Sequence, residues 1–542
     1  MPGDSLPPGT ASSKTNISKK ISINDVELKA DIPVSQITVS KSFNKITYAK
    51  IVILDGSVEK RDFLISNSDN FKPGNKIKVE LGYNGKTKTV FEGIIVKHGI
   101  KVRQQGRTQL LIEAKDKAIK ITGARKSAYY TNKSDSDVIK SLAKGLDSAG
   151  VTDTKTLHKQ LVQFESTDWD FIITRAEANG MLVFTDDGKL IIKKPAFDGK
   201  PVLEAIYGQN IWEFEADMDA RRQISSVSGV AWDYTKQTQD KATPQEVSVP
   251  DQSTAELANV LGTNITLTHT GYLTQDQLQP WVDAYDIRNK LSKAIGRVRI
   301  SGDAAVKPGD MIKLTGVGKR FNGNVFVSGV LHHYEGSWQT DIQFGWKEDW
   351  FYNKEKIMEK PAAGLLPGIN GLQIGKVLGT ENTKDDQYRV KVYIATITNK
   401  QDGIWARVAS LDAGKDHGVY FRPQVDDEVI LGFLNDDPRE PVILGYLHSS
   451  GKNNSPLPEK NGELQYGIVT KNGIKLVLDD TKKKMTLNVK SDRGEKTITI
   501  NDASGAMELK DENNNSIKMD ASGITISSGK VITIKGATVK IN

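Results

Sequence analysis

Lys496-Thr-Ile-Thr-Ile-Asn-Asp-Ala-Ser-Gly-Ala-Met-Glu-Leu-Lys510 decides how the rest of the chain is read. It holds two apolar pairs, Ile498/Ile500 and Met507/Leu509. A spacing of two puts both side chains of a pair on one face of a strand. The Asn-Asp-Ala-Ser-Gly between the pairs is turn chemistry. The same unit recurs upstream as Met485/Leu487 and downstream as Ile517/Met519, Ile524/Ile526, Ile532/Ile534 and Val539/Ile541. From Ile498 onward the pairs begin seven to ten residues apart, with Gly, Asn, Asp, Ser and Lys filling the gaps. The pattern predicts a row of short strands from about Ile474 to Ile541. Each strand offers only two or three inward residues, so a single strip cannot bury its apolar face. Repetition along an axis solves this in β-helices and solenoids. Several copies of the chain wrapped around one axis, each supplying a wall, solve it equally well. A rigid rod of this kind points to a mechanical role.

Upstream, Lys20 to Ile121 reads as strand after strand: Ile21-Ser-Ile, Ile37-Thr-Val, Ala49-Lys-Ile-Val-Ile, Lys76-Ile-Lys-Val-Glu-Leu and Leu110-Leu-Ile-Glu-Ala. These alternate or run apolar between Gly and Asn, as in a β-barrel. Val138, Leu142 and Leu146 share one face of a helix predicted over Ser134–Leu146, with Ser134 or Ser136 as cap. A second helix is predicted from Thr167 to Gly180, with Thr167 and Asp170 at capping-box spacing and Gly180 at the left-handed end. Strands return at Leu182-Val-Phe and Leu190-Ile-Ile. Thr235 to Thr254 is polar and reads as a surface loop. A long helix is predicted over Gln275–Ile295, with Pro280 tolerated in or near its first turn.

One repeat stands out. Phe71-Lys-Pro-Gly-Asn-Lys-Ile-Lys-Val returns as Val306-Lys-Pro-Gly-Asp-Met-Ile-Lys-Leu, each followed by a Gly-containing turn and a Phe-containing strand. The shared order predicts two related barrels in one chain. A Pro/Gly/Ala-rich linker, 356–371, then leads to a compact unit over 372–448 whose five or six short strands fit a closed barrel of OB type. The sequence divides into a flexible 1–19, a first hub barrel 20–125, a helical and β connector 126–235, and a second hub barrel with the long helix 236–355. The linker, the OB collar 372–448, a second linker 449–461 and the rod 462–542 follow.

Composition narrows the function. A chain of 542 residues has room for about three or four domains. It holds no cysteine, which excludes disulfides, thiolate metal sites and cysteine catalysis. The start lacks the apolar core of a signal peptide, and no run approaches the ~20 apolar residues of a membrane span. The net charge of +7 is dispersed over solvated strand faces, which argues against nucleic-acid binding.

Candidate chemistry is sparse. His332 and His333 are adjacent on a strand, point to opposite faces and cannot chelate one ion together. His98, His158, His269, His417 and His448 are isolated, and nothing near them suggests a triad. Asp511, Asn513 and Asn515 imitate the first ligands of a calcium loop, but Ser516 and Ser522 stand where Gly and Glu are needed. Gly316-x-Gly318 with Lys319 lacks the rest of a phosphate loop, and Asp479/Asp480 reads as a turn pair. No catalytic, cofactor or metal residue is assigned.

The segments Trp405-Ala-Arg-Val and Phe421-Arg-Pro-Gln-Val-Asp-Asp-Glu-Val, running on to Asn435-Asp-Asp-Pro-Arg-Glu-Pro-Val442, resemble the OB domain of VgrG-type spike proteins. Asp426 stands where that family has Gly, and Asn435-Asp-Asp-Pro replaces Gly-Asp-Pro. Phe71-x-Pro-Gly with Tyr83 and Phe91-x-Gly93, and Ser166-x-x-Trp169-Asp-Phe171 with Glu177-x-x-Gly180, resemble the family's hub, so the likeness covers nearly the whole chain. It implies a non-enzymatic homotrimeric central spike of a contractile injection machine. The expected partners are an inner tail tube protein, baseplate proteins, a PAAR-type tip protein and cargo effectors, with a target membrane touched mechanically. The expected localisation is assembly in the bacterial cytoplasm, then action in an extracellular particle or after secretion through the machine. Two barrels per chain in a trimer make six around one axis, matching a sixfold tube. Two other readings need features of their own. A nucleic-acid-binding OB protein needs exposed aromatics among Arg and Lys, whereas Tyr388, Tyr393 and Trp405 read as core or collar packing. A polysaccharide-degrading β-helix needs a carboxylate cluster.

Overall fold

The computed structural model describes residues 16–541 except 104–106, 248, 250–256, 348, 355–356, 358, 381–387, 398–402, 453 and 458–464. The chain divides into two units at Glu359/Lys360.

The first unit opens with β1 (Ile17–Ile23), the two-residue β2 (Val26–Glu27), β3 (Val34–Ser42), β4 (Tyr48–Leu54), β5 (Lys76–Tyr83), β6 (Lys86–Lys101) and β7 (Gln109–Lys115). Their order is β3-β4-β7-β6-β5-β1, antiparallel throughout. Alternation sends Ile37, Val39, Ala49, Ile51, Ile77, Val79, Leu110 and Ile112 inward from every part of the sheet to one core around Phe71 and Phe91. One core shared by all six strands means the sheet is rolled. Lys19 Nζ donates to Val34 O (2.9 Å), bridging the seam from β1 to β3.

The connector holds β8 (Arg125–Ser134), α1 (Asp135–Leu142), β9 (Asp147–Val151), β10 (Leu157–Thr167), α2 (Asp168–Ala178), β11 (Leu182–Asp186) and β12 (Lys189–Lys193). Ser134 caps α1 in a capping box with Asp137. The helix stops at Leu142, a turn before the predicted Leu146, where Gly145 takes φ +80°. Thr167 Oγ1 accepts from Asp170 N (3.1 Å) at the start of α2, and Gly180 follows at φ +69°.

The second sheet begins with β13 (Leu203–Ile206) and β14 (Ile211–Met218). An insertion follows: β15 (Ser226–Asp233), β16 (Thr238–Ala242), α3 (Leu257–Leu261), β17 (Asn264–His269) and α4 (Gln275–Leu291). The sheet resumes with β18 (Ala294–Ser301), β19 (Met311–Thr315), β20 (Gly323–Glu335) and β21 (Ser337–Phe344). Its first two strands therefore lie before residue 236, and the long helix belongs to the insertion. The expected polar loop after Thr235 contains β16, paired with β15, and part of it lies outside the described residues. The helix ends at Leu291, because Ile295 is taken into β18. Pro280 sits beyond the first turn. The Asp276 carbonyl it leaves without a helix donor accepts instead from Thr156 Oγ1 (3.1 Å).

The second sheet runs β14-β18-β21-β20-β19-β13, the order of the first in matching chain positions. Gly74 N donates to Ile95 O (2.8 Å) and Ile95 N to Asn75 O (2.9 Å); Gly309 N donates to Val327 O (2.9 Å) and Val327 N to Asp310 O (2.9 Å). Both glycines need the left-handed region, at φ +101° and +91°. Bulges fall at matching places, Ile95/Lys97 with Val327/Gly329 and Val34/Gln36 with Ile211/Glu213. The edge strands differ, since β1 runs antiparallel to β5 and β13 parallel to β19. β20 pairs with β3 and joins the two into one sheet of thirteen strands. Asp186 of β11 holds Lys41 of β3 and Lys307 of the Lys-Pro-Gly turn, the latter at 2.5 Å. Buried Glu177 of α2 pairs with Arg288 of α4 at 2.8 Å.

In the second unit, β22 (Gln373–Gly379), β23 (Val390–Tyr393), β24 (Ile404–Val408), the small ribbon β25 (Ala413–Gly414) and β26 (His417–Gly418), β27 (Glu428–Phe433) and β28 (Pro441–Tyr446) follow. The closed barrel is β22-β23-β24-β28-β27 around Val377, Val392, Ala406, Val429 and Leu431. Then come β29 (Gln465–Val469), β30 (Ile474–Asp479), β31 (Lys484–Ser491), β32 (Gly494–Asn501), β33 (Ala506–Lys510), β34 (Ser516–Asp520) and β35 (Gly523–Ser527). Each pairs antiparallel with its sequence neighbours, giving a meander of seven strands. Of the two burial schemes the pattern allows, a single chain forms the wall: this sheet does not coil into a solenoid. Ile532/Ile534 and Val539/Ile541 were expected in strands, yet 528–541 carries none. Ile532 instead turns to the sheet's apolar residues, lining one concavity with Leu487, Ile498 and Ile526.

Candidate assembly face of the C-terminal sheet

The register of the meander turns the repeated pairs into two ladders. Ile468, Leu476, Leu487, Ile498, Leu509, Ile517 and Ile526 stand directly opposite one another in succession. Tyr466, Leu478, Met485, Ile500, Met507, Met519 and Ile524 do the same two residues along. Both ladders share one face, since residues two apart on a strand point the same way. The other face is polar, with Thr486 opposite Thr499, Thr497 opposite Lys510 and Glu508 opposite Lys518.

Among the described residues the apolar face is left largely open. Ile498 is 39% exposed, Leu509 45% and Ile524 69%, while Leu476, Met485 and Leu487 are half-buried. A concavity of about 550 Å³ runs along it, lined by Leu487, Ile498, Leu509, Ile517, Ile526 and Ile532. Burying a Leu, Ile or Met side chain fully is worth about 1.5–3 kcal/mol, and soluble monomers rarely expose contiguous apolar patches of this size. The face is built to be covered.

The turns between strands are fixed by acids. Asp511 Oδ1 accepts from Asn513 N and Asn515 N (both 2.9 Å), and Oδ2 accepts from Asn515 Nδ2 (2.8 Å). Those bonds hold its carboxyl below the usual range. The calcium-loop lookalike is thus an Asx turn. Asp479 likewise accepts from Lys482 N (2.8 Å) and Gln465 Nε2 (3.1 Å). Gly316 and Gly318 take φ +81° and +88° in the loop after β19.

His332 is buried at 2% exposure beside Thr340 Oγ1 (3.0 Å), and His333 faces Glu335 at 3.4 Å, so the pair points to opposite faces. His98 Nδ1 meets the Phe71 carbonyl (3.0 Å), and its Nε2 meets Ser66 Oγ (2.7 Å). His158 is not isolated in space. Its Nε2 meets Asp135 Oδ2 (3.0 Å) and its Nδ1 meets Gln277 Nε2 (3.0 Å), while Arg175 and Asn179 hold the same carboxylate. Burial pushes Asp135 up, but these bonds outweigh it and hold the carboxyl far below its usual range. The cluster ties α1, β10, α2 and α4 together; its members come from distant stretches, which left no signal in the sequence. Among the described residues no group of three or more His, Asp or Glu is placed to hold a metal ion. On the collar, Tyr388 is exposed at φ +53°, and Tyr393 and Trp405 alternate with the inward Val392 and Ala406. None of the three lies in the barrel core, and Tyr393 and Trp405 are half-buried on the collar.

Residues 13–336, more than half of the chain, match the family described as the Alg8 N-terminal domain. Residues 373–448 match the type VI secretion system and phage-baseplate injector OB domain, and 491–542 the phage baseplate V C-terminal trimerisation domain. The chain belongs to the Alg8 N-terminal domain family over its N-terminal half, and its OB and trimerisation domains are those of the VgrG-type, phage-baseplate spikes. Curated relatives include the actin cross-linking toxin VgrG1 of Vibrio cholerae, 34% identical over 17% of this chain and 9% of the relative. The spike protein VgrG1a of Pseudomonas aeruginosa is 28% identical over 26% of this chain and 24% of that protein. The matched stretch thus takes in less than a quarter of either relative. Solved structures that are similar include a tail protein of Neisseria meningitidis, 14% identical, covering 62% of this chain and 98% of that one at a TM-score of 0.45. A Francisella PdpA–VgrG complex is 12% identical, covering 95% of this chain and 88% of that one at 0.41.

Proposed function

We propose that three copies of the chain form the central spike of a contractile, phage-tail-like injection machine. The observation that carries this is the pair of unbroken apolar ladders on one uncovered face of the C-terminal sheet. Three such walls turned inward bury one another and leave the polar faces in water. The match of 491–542 to a trimerisation domain supports the number. The two hub sheets, alike in strand order, hydrogen bonds and bulges, supply six similar units per trimer. That number suits an inner tail tube of sixfold symmetry, while the needle keeps threefold symmetry.

The mechanism is mechanical. Sheath contraction drives a stiff rod, which concentrates force on a small area of target membrane. In this reading the chain is not an enzyme. It meets the inner tail tube protein and baseplate proteins through its hub and a PAAR-type tip protein at its needle, and cargo effectors travel with it. It assembles in the bacterial cytoplasm and acts in a released particle or after passage through the machine. Immunogold labelling of a tagged chain on particles purified from the producing cell tests this. Label at one end of the tube is expected; label along the sheath, or none on particles, contradicts it.

A further inference from the structure

Each chain contains one complete joint between its two hub sheets and the two halves of another. In the complete joint, Gly329–Tyr334 of β20, beyond the bulge, pairs antiparallel with β3, from Gly329 opposite Ser42 to Tyr334 opposite Ile37. The counterpart of β20 is β6, whose bulge at Ile95/Lys97 matches the one at Val327/Gly329. Beyond it, Lys97–Lys101 pairs with β7 on one side, and no described strand pairs with its other side. The counterpart of β3 is β14, which pairs with β18 alone among the described strands. The bulges at Val34/Gln36 and Ile211/Glu213 set the correspondence, so Ile37 matches Phe214 and Ser40 matches Asp217.

We propose that Lys97–Lys101 of one copy pairs antiparallel with Glu215–Asp219 of the next copy, repeating between chains the joint that β20 and β3 make within each. This rests on the trimeric reading above and supplies its hub contact. Transferring the internal register puts Lys97 opposite Asp219, Gly99 opposite Asp217 and Lys101 opposite Glu215. These lie on one face, with lysines against acids. The other face sets Ile100, 48% exposed in the single chain, against Ala216, and His98 against Met218. The transferred register thus sets two lysines against acids on one face and Ile100 against Ala216 on the other. The arrangement also closes. Every copy offers one edge of each kind, so three internal joints and three between copies close a ring that uses each of these edges once.

Phe43 N donates to Ser328 O, so along β3 the hydrogen-bonded pairs fall at Lys41 and Val39. The counterpart pair, Lys101 with Glu215, is then of the non-hydrogen-bonded class, with Cα atoms about 4.5 Å apart. That separation suits a disulfide. The chain has no cysteine of its own, so Lys101→Cys with Glu215→Cys adds one pair per joint. After oxidation, the full chain is expected to run as a covalent trimer on a denaturing gel. Lys101→Cys with Asp217→Cys, two residues out of register, is expected to remain largely single-chain. Native mass and circular dichroism of both variants are measured first. A native trimer that fails to link at 101/215, or links equally out of register, overturns the joint and leaves the spike standing. A folded single chain overturns both.

Discussion

Asp426 takes φ +77° at the collar turn where its relatives are expected to carry Gly, and Asn435 and Asp436 follow at +51° and +55°. Asp and Asn tolerate this region better than other side chains, because their short polar groups bond locally. The departures from the family pattern therefore keep its backbone. Asp426→Ala is predicted to cost the collar about 1 kcal/mol, while Asp426→Gly stays within about 0.5 kcal/mol of the parent, read from urea midpoints. His332 provides a second check at this scale. Burial, with Lys41 nearby, holds its pKa down to about 3, against an ordinary 6.5. The folded state thus favours neutral imidazole. Stability from this group is complete above about pH 6.5 and falls by roughly 1.4 kcal/mol per unit as pH drops towards 3. His332→Gln should remove that slope, so urea midpoints at pH 7.5 and 5.0 should differ less in the variant; equal slopes would contradict the assignment. The opposite-face placement of His332 and His333 was legible in the sequence from their adjacency alone. The Asp135–His158–Gln277 chain was not, because spacing along the chain carries no information about packing between helices.

At the scale of elements, the period of two gave the strands of the needle and the turn residues gave their ends. It could not tell a solenoid from a wall. That choice depends on which strand each edge meets, and hairpins between neighbours satisfy the backbone without any coil. Ile532/Ile534 and Val539/Ile541 match the same pattern yet form no strand, and Ile532 lines the concavity of the apolar face instead of extending the meander. The ladders make a specific prediction. Ile500→Asp places a charge in the buried seam of the trimer, at a cost of several kcal/mol for each copy. Its native mass should fall towards the 59.6 kDa of one chain. Thr499→Asp, one residue away on the polar face, should leave the mass of the parent. Loss of assembly in both variants, or in neither, would show that the seam lies elsewhere.

For the molecule as a whole, the Lys-Pro-Gly repeat was enough to reveal two related hub sheets. Their extents were harder to read, because the polar insertion between β14 and β18 looks like a boundary and sits inside the second sheet. The joint between the sheets was invisible in sequence, as strands β3 and β20 meet across nearly three hundred residues of chain. The central claim concerns number. An apolar seam, unlike surface ion pairs, is little affected by screening, so assembly should persist in 1 M salt. The decisive measurement is the solution mass of the full chain by light scattering at low and high salt. The account predicts about three times 59.6 kDa under both conditions. A folded species at 59.6 kDa, with its ladders open to water, would contradict it.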